Sequence, residues 1–263
     1  MKASAEKFED LTERPRVPVV SLHVDICDYE TAIARVAELV AAGDSGYVCC
    51  ATVHMTMEAV DDPAFRDIVN SASMVTPDGM PLVWMQRLLG KKEAYQVRGP
   101  SLMPKLLAFA AEKGLTVGFH GGSAQVLAEV QKRATAEFPR LETAYLHSPP
   151  FREVTVVEDA EMIAKLNGSK TQILFVGLGC PKQERWMAAH RSDTNAVMIG
   201  VGAAFDFYAG TAAESPEWLR KLGLEWFFRL VSEPKRLWRR YLILNPRFMW
   251  HALRQLVTKR NKL

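Results

Sequence analysis

The residues best suited to chemistry in this 263-residue chain stand singly, at corners. Asp78 lies in "SMVTPDGMPLVW", between two apolar runs, with Pro77 and Gly79 on either side. A carboxylate there either caps the helix that follows or acts as a general base, taking a proton from a hydroxyl within hydrogen-bond reach. In "ATVHMTM", Thr52 and His54 follow another apolar run, where His54 is either structural or a substrate contact. "VRGPSL" sets Arg98 beside a turn, as a surface residue or an anion contact. "FVGLGCPKQERW" puts Gly177 and Gly179 in a turn and Lys182, Gln183 and Glu184 at a helix start. The free N–H groups and positive dipole end of such a helix suit a diphosphate or a nucleotide hydroxyl. The alternative is a tight turn followed by solvated first-turn side chains. "FHGGSAQVL" repeats the arrangement with Gly121 and Gly122, and Ser123 is placed to cap. Lys182 occupies the third position of a would-be GxGxxG, which argues against an NAD(P)-dependent oxidoreductase. No Ser-His-Asp spacing appears, and no Asp-x-Asp pair is present to hold a metal–diphosphate. No metal and no cofactor are expected.

These residues need a frame. "VPVVSLHVDI", "GYVCCATV", "SMVTP", "LTVGFHGG", "LETAYLHSPP", "TQILFVGLG" and "NAVMIGVG" read as strands, each a short apolar run. Helical spacing appears between them, as in Ala32, Val36, Leu39 and Val40 before Gly43. Ser101 is placed to cap the helix of "SLMPKLLAFAAEKG". Strands without period-two alternation belong to a parallel sheet covered on both faces. The alternation predicts an α/β fold over 17–210, a doubly wound, mainly parallel, Rossmann-like sheet. Ligands in such sheets sit beyond the carboxyl ends of the strands. That rule selects Thr52–His54, Thr76–Gly79, His120–Ser123, Gly177–Glu184 and Gly202–Phe207, the last carrying Asp206.

Past residue 210 the alternation stops, and 211–263 reads as a helical appendage that Pro216, Pro234 and Pro246 should break into short helices. From Glu225 onward ten basic residues face two acidic ones, +8 in 39 residues, which leaves −5 for the other 224. The overall charge of +3 gives no case for nucleic acid, but a basic tail on a mildly acidic body suits an anionic partner. Residues 1–16 read as a disordered, polar lead-in rather than a signal peptide, and no run approaches a membrane span. Cys27, Cys49, Cys50 and Cys180 form no CxxC pattern, which favours the cytosol over a disulfide framework.

Taken in order, "TPDGMPLVW", "RGPSLM", "GFHGG", "FVGLGCPKQERWM", "GVGAAFDFYAGT" and "SPEWLRKLGLEWFFRLVSEPKRLWRRY" resemble the WecG/TagA/CpsF glycosyltransferase family, from about Val17 to Leu244. The resemblance implies an inverting, metal-independent transferase. It would move a hexose from a UDP-sugar to a polyprenyl-diphosphate-linked saccharide at the inner face of the plasma membrane, for cell-surface polysaccharide or exopolysaccharide synthesis. It makes Asp78 the general base, with Thr52 in the same pocket and Gln183 and Glu184 near the nucleotide. Arg229, Arg236 and Arg239, at spacings of seven and three, would hold a diphosphate from one helical face if the break at Pro234 is mild. The aromatic residues of the appendage suit a membrane interface. "CCATVHM" departs from the asparagines typical of N-acetylmannosamine-transferring members, which leaves UDP-glucose and UDP-N-acetylmannosamine both open as donors. A non-catalytic nucleotide-sugar-binding component of an assembly complex is the alternative, and homo-oligomerisation stays open.

Overall fold

A computed structural model describes residues 15–150 and 152–260. The lead-in expected over 1–16 therefore falls almost wholly outside the described residues, but Arg16 is within them and begins a strand. The chain runs β1 (Arg16–Val19), β2 (Leu22–Asp25), α1 (Tyr29–Ala42), β3 (Tyr47–Ala51), α2 (Val53–Asp61), α3 (Pro63–Asn70), β4 (Met74–Pro77) and α4 (Met80–Leu88). It continues through α5 (Gly99–Lys113), β5 (Thr116–Gly121), α6 (Ala124–Glu137), β6 (Glu142–His147), α7 (Val156–Gly168), β7 (Ile173–Gly177), α8 (Lys182–Ala189) and β8 (Val197–Gly200). It closes with α9 (Ala204–Ala209), α10 (Glu217–Lys221), α11 (Glu225–Ser232) and α12 (Pro234–Arg260).

Strands β3 to β8 form one sheet, ordered β4-β3-β8-β7-β5-β6, and each pair in it is parallel. One apolar core joins α1, α5, α6 and α9 to one face; a second joins the other face to the β1–β2 hairpin, α2, α3, α4, α7, α8 and α12. This is the doubly wound α/β architecture that the apolar strands predict. The connections leaving β5 and β7 run to opposite sides of the sheet, which makes that junction a topological switch point.

Three expectations need correction. "VPVVSLHVDI" is a two-stranded hairpin rather than one strand. Its turn uses Val20 at φ 58, an apolar residue in the left-handed region, so no glycine or asparagine marks it. The turn is tied from outside: Gln255 on α12 accepts from Val20 N–H and donates to the Pro18 carbonyl. Second, α5 begins at Gly99, so Ser101 lies inside the helix and accepts a hydrogen bond from Arg98 instead of capping. Third, Pro246 does not break α12, which runs 27 residues. Proline removes one backbone bond, but Phe248 and Ala252 are buried against the body and Arg247 grips Asp61 with two bonds. Pro216 and Pro234 do sit at helix boundaries. Because α12 fills part of the second core, the segment after residue 210 is not an independent attachment.

Candidate active site

Asp78 follows β4 at the carboxyl edge of the sheet. Its own N–H donates to the Ala51 carbonyl at the end of β3, and Gln96 donates to its carbonyl at 2.6 Å. It does not cap α4, whose N-cap is Gly79 with no side-chain bond. Its Oδ2 instead accepts from the Gly99 N–H at the start of α5, at 2.9 Å. Oδ1 carries no protein hydrogen bond among the described residues. Burial, the largest influence, pushes the Asp78 carboxyl up to about 6 against the pull of Arg98; Glu225 adds to the rise, and the Gly99 N–H and Arg229 oppose it. A carboxylate with one oxygen fixed, the other unengaged and a pKa near neutrality has the properties of a general base.

Asp78 lines a cavity of about 580 Å³. Thr52, His54 and Gly79 share its wall, with α4 on one side and Arg229, Arg240 and the apolar face of α12 on the other. Thr52 is the N-cap of α2, its hydroxyl accepting from Met55 N–H. Gly79 commits its N–H to the Ala51 carbonyl. His54 sits in the first turn of α2, with Nε2 3.2 Å from Glu58 and a buried Nδ1 that has no partner. Burial, aided by Arg240, lowers His54 to about 4, so its imidazole is neutral at pH 7.

A second cavity, about 450 Å³, shares His54 and Arg240 with the first and adds Cys180, Arg236 and Arg239. The expectation that one helical face presents Arg229, Arg236 and Arg239 is therefore corrected. Arg229 lies on α11 and lines the Asp78 cavity, while Arg236 and Arg239 lie on α12 and line the second. Arg236 bonds Glu233, Arg239 lies over the Trp238 ring, and Arg229 lies over the Phe207 ring. Of the two residues that line both cavities, His54 and Arg240, sequence reasoning missed Arg240. Its Nε and that of Arg229 are buried without a hydrogen bond, and neither side chain has a carboxylate partner among the described residues. The sequence "KRLWRRY" offers Arg239 and Arg240 side by side, and only the helix phase separates them.

Arg98 is neither a surface residue nor a free anion contact. It is 3% exposed, and it pairs with Glu214 at 2.9 Å and Glu225 at 2.8 Å. Both carboxylates belong to the segment after residue 210, so Arg98 latches that segment beside Asp78. Gly223 seats the same segment: it has φ +71, and a Cβ there would come 2.7 Å from the Trp84 ring.

The glycine turns lie on the same sheet edge but outside the Asp78 cavity. A Cβ on Gly121 would fall 2.5 Å from the Gly177 carbonyl, and one on Gly177 would fall 2.6 Å from the Phe205 ring. These two glycines serve close packing at the switch point. Gly122 and Gly179, at φ +67 and +78, face more open space. Gln183 and Glu184 are buried rather than solvated. The Gln183 amide oxygen accepts from the N–H groups of Gly179 and Gly202, and its nitrogen donates to Glu184 at 2.7 Å. Burial raises Glu184 to about 7, opposed by the bonds from Gln183, its own backbone and Cys180. Lys182 is exposed, and Asp206, on α9, accepts from the Thr211 hydroxyl.

Comparison with known proteins adds one family and several relatives. The family model described as "Glycosyl transferase WecG/TagA/CpsF family" matches residues 17–262. A Bacillus subtilis protein named N-acetylglucosaminyldiphosphoundecaprenol N-acetyl-beta-D-mannosaminyltransferase is 31% identical over 78% of this chain and 76% of its own. Proteins of the same name from Bacillus spizizenii and Staphylococcus aureus are 30% and 28% identical, over 79% and 73% of this chain and 79% and 74% of theirs.

Proposed function

The chain belongs to the WecG/TagA/CpsF family of glycosyl transferases, and on that premise we propose that it transfers a hexose from a UDP-sugar to a polyprenyl-diphosphate-linked saccharide with inversion at the anomeric carbon. The observation that carries the reading is Asp78: a carboxyl with one unengaged oxygen, raised to about 6, in a cavity walled by two unpaired arginines. In the reaction, Asp78 takes the proton of the acceptor hydroxyl as that oxygen attacks the anomeric carbon from the face opposite UDP. The C–O bond to UDP breaks as the new bond forms, so no second carboxylate is needed as a nucleophile. The leaving diphosphate develops charge, which Arg240, with Arg236 and Arg239 beside it, neutralises without a metal. From there the nucleotide reaches past Cys180 toward the open turn at Gly179, and Thr52 and the neutral His54 face the sugar.

No helix among the described residues is long and apolar enough to cross a membrane. The segment after 210 nonetheless exposes Trp218, Leu222, Phe227, Val231, Trp238 and Trp250 among its basic residues. Such a face suits the surface of an anionic bilayer, on the inner side where a lipid-linked acceptor and a UDP-sugar meet. The relatives named above take N-acetylmannosamine as the transferred sugar. Here the donor lies between UDP-N-acetylmannosamine and UDP-glucose.

The test is a product analysis with UDP-glucose, UDP-N-acetylmannosamine and UDP-N-acetylglucosamine, each offered with a synthetic N-acetylglucosamine diphosphate lipid. One of the first two should give a disaccharide lipid of inverted anomeric configuration. Binding of the donors without transfer would instead assign a non-catalytic nucleotide-sugar-binding role.

A further inference from the structure

The Asp78 cavity is lined mostly by apolar groups, and from Leu242 onward Asn245 is its one polar α12 side chain. Beyond Asp78, Arg229 and Arg240 it becomes a groove between α4 and α12. Trp84 and Leu88 form the α4 side; Leu242, Met249, Leu253 and Leu256 form the α12 side. The α12 residues are spaced by seven, four and three, so they share one helix face over about 21 Å. Leu88, Met249 and Leu253 are 67%, 63% and 61% exposed. An exposed strip that is apolar but for Asn245 marks a binding surface. Its position decides what it binds: base first, the unpaired Arg229 next, apolar wall beyond. That is the order of parts in a lipid diphosphate carrying a sugar. The groove is also preformed, because Phe248 and Ala252 are buried on the body side and Arg247 bonds Asp61.

We propose that this groove binds the first isoprenoid units of the acceptor's lipid tail, so that the protein, and not only the bilayer, recognises the chain. The proposal rests on the reading that the acceptor is a lipid diphosphate. Recognition by apolar contact makes affinity climb with chain length until the groove is full.

The experiment measures calorimetric Kd values for inorganic diphosphate, geranyl diphosphate and farnesyl diphosphate with the full chain, without detergent or vesicles and below each lipid's aggregation concentration. Affinity should rise about tenfold per isoprene unit, the apolar gain being discounted for partial burial. The double variant Leu88→Glu/Leu253→Glu, altered at exposed positions, should bring farnesyl diphosphate to within about threefold of inorganic diphosphate. The ratio within one protein preparation is insensitive to a partly unfolded fraction. Equal affinity for the three ligands would overturn the proposal, as would a chain-length gain that survives in the double variant. Chain binding that appears only with vesicles would also overturn it, by assigning the face to the bilayer. A chain-length gain in a protein that transfers no sugar would leave the groove standing and contradict the catalytic reading alone.

Discussion

Two stretches of the same sheet edge differ in what they leave unfinished. At the β5–β7 junction, Gly121, Gly177 and Phe205 pack in contact, and Gln183 bridges the loops after β7 and β8. At the β3–β4 end, Asp78 keeps one oxygen free, His54 Nδ1 and the Nε atoms of Arg229 and Arg240 lack partners, and a cavity lies between them. Buried polar groups are normally satisfied, so several unsatisfied ones around one cavity suit a ligand; on the glycine side Glu184 Oε2 alone is comparable. On the proposed reading, the glycine-rich side supplies rigidity and the side beside the final helices supplies chemistry.

Substitutions should separate the two sides. Arg98→Met carries the largest expected cost, about 2–3 kcal/mol in chemical denaturation, because Asp78 and the half-buried Glu225 lose their main cation, while the exposed Glu214 keeps Arg220. It should also move the acid limb of the rate profile to higher pH by about one unit, since Arg98 is the main charge holding the Asp78 carboxyl down. A limb that stays in place would remove Arg98 as the group that tunes the base. Gly177→Ala should cost about 2–3 kcal/mol by forcing Phe205 aside. If it instead lowered transfer while leaving the melting temperature unchanged, the packing role assigned to the switch point would be wrong.

Asp78→Asn should stabilise the protein at neutral pH. The folded pKa of Asp78 lies above its ordinary value, so the group favours folding below about pH 4, and that contribution is lost as pH rises through about 6. Thermal melts at pH 7.5 should show the variant more stable by about 1–2 kcal/mol, with the difference vanishing near pH 4. Lys182→Ala, exposed on the glycine side, should change stability by less than about 0.5 kcal/mol. A large loss of transfer in that variant would bring the glycine turns into the chemistry.

Much of this was legible in the sequence. Short apolar strands without alternation gave the parallel sheet, and their carboxyl ends gave the location of Asp78 and Thr52. The β1–β2 turn was hidden because it is made by Val20 and held by Gln255 from a distant helix. Pro246 misled because the buried contacts of α12 outweigh one lost backbone bond. Side-chain commitment was the least legible. Gln183 beside a glycine turn gives no sign in the sequence that its amide oxygen is held by the N–H groups of Gly179 and Gly202. Arg98 reads as a surface residue until Glu214 and Glu225 arrive from more than a hundred residues away. Arg240 is one of three arginines within five residues, and only helix phase and Pro234 place it between the cavities.

The most direct test of Asp78 as the base is the single-turnover transfer rate of Asp78→Asn, measured beside its Kd for UDP. The rate should fall about a thousandfold, within the usual range for loss of a general base, with UDP affinity within about twofold of wild type. Transfer at the wild-type rate would contradict the assignment outright.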